Sequence, residues 1–241
     1  PATERLFIAS EVCEGCGDCG AQSNCIALEP NETEMGRKRQ INQSVCNQDY
    51  SCLKGFCPSF VTVTGGKPRA RTAALGEGDD VAAGLPEPVL QPLGQGRNLL
   101  VTGIGGAGVV TIGAILGMAA HSEGTPCTVL DMSGFAQRNG SVMSHVRLGG
   151  SDCAARISPG AADLVIGCDP IVAASAEVLA MLKPTTGHVV LNQFIAPTNA
   201  FAKDPDYTVD LSMLERRLAQ RVGEEHVLPV DATRLASALL G

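Results

Sequence analysis

The chain has no tryptophan, two tyrosines and six phenylalanines, so only 3% of its 241 residues carry an aromatic ring. That scarcity excludes a base-stacking platform for single-stranded nucleic acid, which needs rings to stack on. Positive charge is also short: 18 Lys and Arg stand against 25 Asp and Glu, a net charge of −7. A nucleic-acid partner and an anionic membrane surface are both excluded on that ground. Histidine is rare, with four in all and none before His121. No Walker A loop occurs, because Gly66-Lys67 runs into Pro68 and position 61 is Val. Asn98 to Ser122 lacks any Asp, Glu, Lys or Arg, but Gly103, Gly105, Gly106 and Gly108 break it. It therefore reads as strand then helix, not as a membrane span. No secretory leader precedes the cysteines, so a reducing, cytoplasmic setting is expected. The chain starts at Pro1 and stops at Gly241 straight after an apolar run, which reads as a piece of something longer.

Glycine and cysteine are plentiful. Glycine makes up 28 of the 241 residues, about 12% against a usual 7% or so. Of ten cysteines, seven lie within the first 57 residues, at Cys13, Cys16, Cys19, Cys25, Cys46, Cys52 and Cys57. The other three, Cys127, Cys153 and Cys168, sit in or beside apolar strands and read as small buried hydrophobes. An odd, tightly clustered set argues against a disulfide framework.

Composition divides the chain in three. Residues 1–64 form a Cys-rich unit expected to be a small ferredoxin-like iron–sulfur domain. Residues 65–96 carry Gly65, Gly66, Pro68, Gly76, Gly78, Gly84, Pro86 and Pro88, a breaker density that marks a linker with one short helical turn near Ala82. Residues 97–241 alternate apolar runs with helical patterns, which predicts a mostly parallel, doubly wound, Rossmann-like α/β domain covered on both faces. Strands are expected at Asn98–Thr102, Cys127–Leu130, Val142–Leu148, Cys153–Ile157, Asp163–Cys168, His188–Leu191 and His226–Val230. A hairpin is expected across Gly149-Gly150. One helix is expected with Ile171, Val178 and Leu182 on its face. Another starts at Asp210 and faces inward through Leu211, Leu214, Leu218 and Val222.

Cys13-Glu-Gly-Cys16-Gly-Asp-Cys19 places three thiolates in seven residues, spaced so that one loop presents them all to a compact inorganic cluster. Gly15, Gly17 and Gly20 permit the unusual backbone such a loop needs. Cys57 precedes Pro58, as does the remote ligand of bacterial ferredoxins, where the last cysteine of each run serves the other cluster. Cys13, Cys16, Cys19 and Cys57 thus make one complete set for a [4Fe-4S] cluster. Cys25, Cys46 and Cys52 are less regular and one thiolate short. They suit a second cluster, either [3Fe-4S] or [4Fe-4S] with a non-Cys ligand, for which Asp49 is the nearest candidate. Structural zinc usually comes as paired C-x2-C knuckles, which this run fits poorly.

Gly103-Ile-Gly105-Gly106-Ala-Gly108 matches the glycine pattern of dinucleotide-binding turns, between a strand and a helix, and Asp131 ends the next strand. An NAD(P)- or FAD-dependent reductase with an appended ferredoxin domain is therefore one reading. The polar stretch after Asp131 departs from an ordinary Rossmann domain. Its Arg138, Ser141, His145 and Arg147 form a possible anion-binding or partner-binding cluster.

Three stretches together resemble the thiamine-diphosphate-dependent 2-oxoacid:ferredoxin oxidoreductases, in particular their long fused indolepyruvate branch. They are Cys13–Cys19 with Gly36-Arg-Lys-Arg39; Cys46 through Lys54-Gly-Phe-Cys-Pro58; and Gly103-Ile-Gly-Gly-Ala-Gly-Val-Val-Thr111 with Ala136-Gln-Arg-Asn-Gly-Ser-Val-Met-Ser-His-Val-Arg147. The last is similar to the gamma domain of that superfamily. The resemblance implies oxidative decarboxylation of a 2-oxoacid on thiamine diphosphate and Mg2+, an acyl-CoA product, and electrons passed through iron–sulfur clusters to ferredoxin. It implies that Cys13, Cys16, Cys19 and Cys57 hold a wire cluster. It also implies that the gamma-like unit packs against thiamine-binding domains, near CoA; the binding residues read from the glycine turn and the polar stretch are Gly103, Gly105, Gly106, Gly108, Arg138, Ser141 and His145. The Gly-Asp-Gly motif with paired Asn that marks a thiamine site is missing, since Gly78-Asp79-Asp80 has no such partner, so this stretch alone is not expected to turn over. The basic trio Arg37-Lys38-Arg39 reads as a solvated turn, with docking of an acidic ferredoxin as the rival role.

Overall fold

A computed structural model describes residues 4–25, 27–66, 86–89, 93, 94, 96–133, 140–150, 154–196, 200, 204 and 206–240. The expected helical turn near Ala82, together with Arg138 and Cys153, lies outside them. The chain folds as two compact units: Pro1–Arg69 with Pro197–Val209, and Ala70–Ala196 with Asp210–Gly241.

The first unit runs twice through strand, cysteine-bearing loop, helical turn and strand. Strand β1 (Glu4–Ile8) pairs antiparallel with β4 (Phe60–Thr64), Ile8 opposite Phe60. Strands β2 (Leu28–Thr33) and β3 (Gly36–Ile41) form a hairpin closed by Glu34-Met35. Helix α1 (Asp18–Ser23) follows the first cysteine loop, and a 3-10 turn, Ser51–Leu53, follows the second. So small a unit has little apolar interior: Leu6, Ala27 and Leu28 are buried together with Cys13 and Arg39. The basic trio is therefore not a solvated turn. Arg39 is 4% exposed, and Arg37 pairs with Glu32 while donating to the Tyr207 carbonyl at 2.9 Å.

The second unit is a six-stranded sheet in the order β10-β9-β8-β5-β7-β6. Its strands are β5 (Arg97–Ile104), β6 (Cys127–Ser133), β7 (Ser141–Leu148), β8 (Leu164–Gly167), β9 (His188–Asn192) and β10 (Val227–Val230). Five strands share one direction and β7 runs against both neighbours. The mostly parallel α/β class read from the sequence holds. The expected strand Cys153–Ile157 does not: Ala154–Ile157 is irregular chain, and β7 takes its partners from β5 and β6 instead.

Helix α2 (Val109–Ser122) lies on the sheet face that carries Ser144 and Val129. The opposite face, with Leu100, Val165, Val189 and Leu191 buried, is covered by α3 (Pro170–Ala173) and α5 (Leu211–Val222). The single helix expected through Ile171 and Leu182 is two, because Ser175 caps α4 (Ala176–Met181) by accepting from the Val178 N–H. Asp210 caps α5 as expected, and Leu214, Leu218 and Val222 are its buried stripe. Helix α6 (Ala232–Leu240) ends the described chain. Among the described residues the α2 side of β8–β10 is not covered. Leu99, Leu164, Val190 and Leu228 floor a groove of about 940 Å³ there.

Candidate functional site

Five thiols, Cys13, Cys16, Cys19, Cys52 and Cys57, line one cavity of about 240 Å³ in the first unit, and Arg39 forms part of its wall. On that measure a single water needs only about 10–15 Å³. The space suits a body of several atoms. None of the five is in a disulfide. Among the described residues no three His, Cys, Asp or Glu side chains form a nest for one metal ion; the thiols surround a volume instead.

The loop geometry explains how they converge. Gly15 and Gly17 take φ of 76° and 78°, the left-handed region where a side chain is strained. A Cβ on Gly15 would sit 2.1 Å from the Arg37 carbonyl oxygen, so only glycine lets this loop lie against β3. The Gly15 N–H donates to Cys13 Sγ at 3.4 Å, and Cys57 Sγ lies 3.0 Å from the Ser59 hydroxyl. Burial pushes the Cys19 thiol up to about 11. The neighbouring Cys13 and Cys16 add to that, while a backbone bond at Gly20 and the Arg39 charge work against it. A thiol raised as Cys19 is makes a poor thiolate by itself and ionises when it binds a metal cation. The donor set therefore fits an iron–sulfur cluster.

A second group forms around Cys52. Burial raises its thiol above the ordinary range, and Cys25, Cys46 and Asp49 each raise it further by their negative charge. Cys52 is thus within electrostatic reach of Cys25, Cys46 and Asp49.

At the glycine turn, Gly103 is where the chain cannot carry a side chain: a Cβ would meet Cys168 Cβ at 2.8 Å and Asp169 Oδ2 at 3.3 Å. Asp169, 1% exposed, is a residue that sequence reasoning missed. One oxygen accepts from the Ile104 N–H at 2.8 Å and the other from the Val172 N–H at 3.0 Å, so it clamps the end of β5 to the start of α3. The Asp-Pro pair at 169–170 was its only signal, since Pro at the first helical position favours a capping residue before it. Burial raises its carboxyl above the usual range, opposed by those backbone bonds. Burial and the Asp169 charge push the adjacent Cys168 thiol up to about 11, and burial also raises that of Cys127.

The remaining members of the expected binding cluster do not meet. Ser141 stands at the turn, opposite Ile104. His145 pairs with Leu100, deep in the sheet, is 0% exposed, and accepts at Nδ1 from the Ile157 N–H at 3.2 Å. Four strand residues, roughly 13 Å, separate the two. Arg147 is turned to the far end of β7, where it donates to Asn98 Oδ1 and the Ala154 carbonyl. His145 is a core histidine, held neutral by burial with the Arg156 charge acting the same way. Nor does Asp131 end its strand. It pairs with Ser144, level with Val101, and β7 separates it from β5 by about two strand spacings, roughly 10 Å. Asp131, the acid read as the ribose partner, is therefore not at the turn.

Residues 98–241 match the family model for pyruvate ferredoxin/flavodoxin oxidoreductase. The chain belongs to this family. The glycine turn, the Asp169 clamp and the sheet from Asn98 onward lie within the matched span. Curated relatives include an indolepyruvate oxidoreductase subunit IorB of Archaeoglobus fulgidus, 35% identical over 146 residues, or 58% of this chain and 66% of that one. An IorB of Pyrococcus horikoshii is 37% identical over 76 residues, 32% of this chain and 38% of that one. The chain thus spans between 38% and 66% of the length of these relatives. Among solved structures, the pyruvate oxidoreductase subunit PORC of Thermotoga maritima aligns with a TM-score of 0.41 at 18% identity, covering 59% of this chain and 65% of that one. Among the described residues no helix is long and apolar enough to cross a membrane; Asn98–Ser122 is β5, the glycine turn and α2.

Proposed function

We propose that this chain is the electron-transfer and scaffold portion of a 2-oxoacid:ferredoxin oxidoreductase of the indolepyruvate type. Cys13, Cys16, Cys19 and Cys57 hold a [4Fe-4S] cluster, and Cys25, Cys46 and Cys52 hold a second one. Such clusters, when bound, supply one-electron transfer. The observation that carries the reading is the convergence on one cavity of Cys13, Cys16 and Cys19, from a single loop, with the remote Cys57, while Cys52 also reaches its lining. The protein's own part is then to hold and tune. Four thiolates fix the position, the Gly15 N–H and Ser59 hydroxyl lie within hydrogen-bonding reach of sulfur, and Arg39 offsets negative charge. The α/β unit is the scaffold that packs on the domains carrying thiamine diphosphate and Mg2+, where the 2-oxoacid reacts and CoA takes the acyl group. Ferredoxin is the electron acceptor, and the setting is cytoplasmic.

Anaerobic purification with iron and sulfide quantification and EPR tests this. Cys57→Ala is expected to remove one complete cluster and leave the other. A folded, colourless, iron-free wild-type chain would refute the reading. NAD and FAD titrations test the rival reductase reading, for which the displaced Asp131 predicts no micromolar binding.

A further inference from the structure

The run Cys46-Asn-Gln-Asp49-Tyr-Ser-Cys52 repeats the spacing of Cys13-Glu-Gly-Cys16-Gly-Asp-Cys19, with Asp49 where Cys16 stands. The backbone repeats it too. Gly15 and Gly17 flank Cys16 at φ of 76° and 78°; Gln48 and Tyr50 flank Asp49 at 60° and 56°. Each loop then enters a helical turn one residue before its last cysteine, α1 at Asp18 and the 3-10 turn at Ser51, after a left-handed residue. Two left-handed residues that are not glycine are uncommon, and such strain persists only where the surroundings enforce it. Around Asp49 the enforcing contacts converge on its carboxylate: Oδ1 accepts from the Ser51 N–H at 3.0 Å and hydroxyl at 2.8 Å, and Oδ2 from Asn47 Nδ2 at 3.2 Å.

We propose that Asp49 is the fourth protein ligand of the second cluster, completing Cys25, Cys46 and Cys52, and that it makes one iron of that cluster exchangeable. The inference rests on the ferredoxin reading of this unit. A carboxylate is a harder ligand than a thiolate and grips an iron–sulfur core less firmly. One-electron oxidation by ferricyanide then converts [4Fe-4S]2+ to [3Fe-4S]+, releasing Fe2+ and passing one electron to ferricyanide. The bonds broken are those from the departing iron to the Asp49 oxygen and to three cluster sulfides. The carboxylate stays with Ser51 and Asn47.

The test compares wild type, Asp49→Cys and Asp49→Ala in the full chain, purified anaerobically and titrated with ferricyanide under EPR. Wild type is expected to develop a three-iron signal of about one spin per chain, abolished when ferrous iron and a reductant rebuild the cluster. Asp49→Cys is expected to cut that signal by roughly tenfold, because a fourth thiolate retains the iron. Asp49→Ala is expected to show it as isolated and to resist rebuilding. Equal conversion in wild type and Asp49→Cys overturns the proposal, and if Asp49→Ala does not fold, that comparison decides alone. Two stable clusters in all three proteins would overturn the role of Asp49 and leave the ferredoxin reading standing. An iron-free wild type would overturn both.

Discussion

Replacing Asp169 by alanine removes the clamp between the glycine turn and α3. Two backbone donors lose their acceptor. The Val172 N–H loses its cap, worth about 1 kcal/mol within a range of about 0.5–2. The Ile104 N–H, on a residue 8% exposed, is left unsatisfied at about 1–3 kcal/mol. Burial of the carboxylate works the other way, because its raised titration means the charged form is disfavoured there. The net is a destabilisation of about 2–3 kcal/mol, or roughly 4–12 °C in Tm for a chain of 241 residues. With no tryptophan in the chain, circular dichroism or calorimetry is the assay. Titration adds a second readout. A carboxyl raised on folding keeps its proton to higher pH than in the unfolded chain. Its contribution is therefore full below about pH 3.9 and declines as pH rises through the folded value. Asp169→Asn removes that dependence, so the Tm of wild type relative to Asp169→Asn should fall as pH rises. An Asp169→Ala protein melting within about 1 °C of wild type would refute the clamp.

Arg39→Met removes a buried cation from the wall of the thiol cavity. The potential of the cluster there should fall, by about 60 mV for each 1.4 kcal/mol of lost stabilisation of the reduced form, read by EPR-monitored redox titration. An unchanged potential would show that the guanidinium is only structural. Burial lowers the folded titration of His145, so its contribution is present above about pH 6.5 and is lost as pH falls below that and through the lower folded value. His145→Gln, which retains an acceptor for the Ile157 N–H, should flatten the acid limb of a Tm–pH curve. Gly113→Ala would place a Cβ 2.1 Å from Ser144 Oγ, which is fully buried. Overpacking of about 1–3 kcal/mol outweighs a gain of up to about 1 in helix propensity. Adding Ser144→Ala, whose hydroxyl has no partner, should recover part of the loss in the same melt.

The features legible in the sequence were the local ones. Cysteine spacing located a loop whose thiols gather at one cavity, glycine spacing the turn, and Asp210 with Leu214, Leu218 and Val222 an entire helix. What escaped was set by partners distant in the chain. The apolar pattern of Val142–Leu148 marks a strand but carries no address, so it suggests a hairpin with its sequence neighbour Cys153–Ile157, whereas the strand inserts between β5 and β6. That insertion also moved Asp131 away from the turn it was assigned to serve. Arg39 looked solvated beside Arg37 and Lys38, yet strand alternation turns every second residue inward, and its inward neighbour is the thiol cavity. His145 and Ser141 looked like one cluster because they are close in sequence, whereas an extended strand keeps them apart.

The described residues of Pro197–Val209 belong with the cysteine-bearing unit, and the Tyr207 carbonyl accepts from Arg37 across 170 positions. During synthesis the seven amino-terminal cysteines emerge long before that stretch exists. At ribosomal rates of about 5–20 residues per second, the interval between Cys57 and Tyr207 is on the order of ten seconds. Throughout it the nascent unit lacks part of its own surface and waits on sequence translated about 150 residues later.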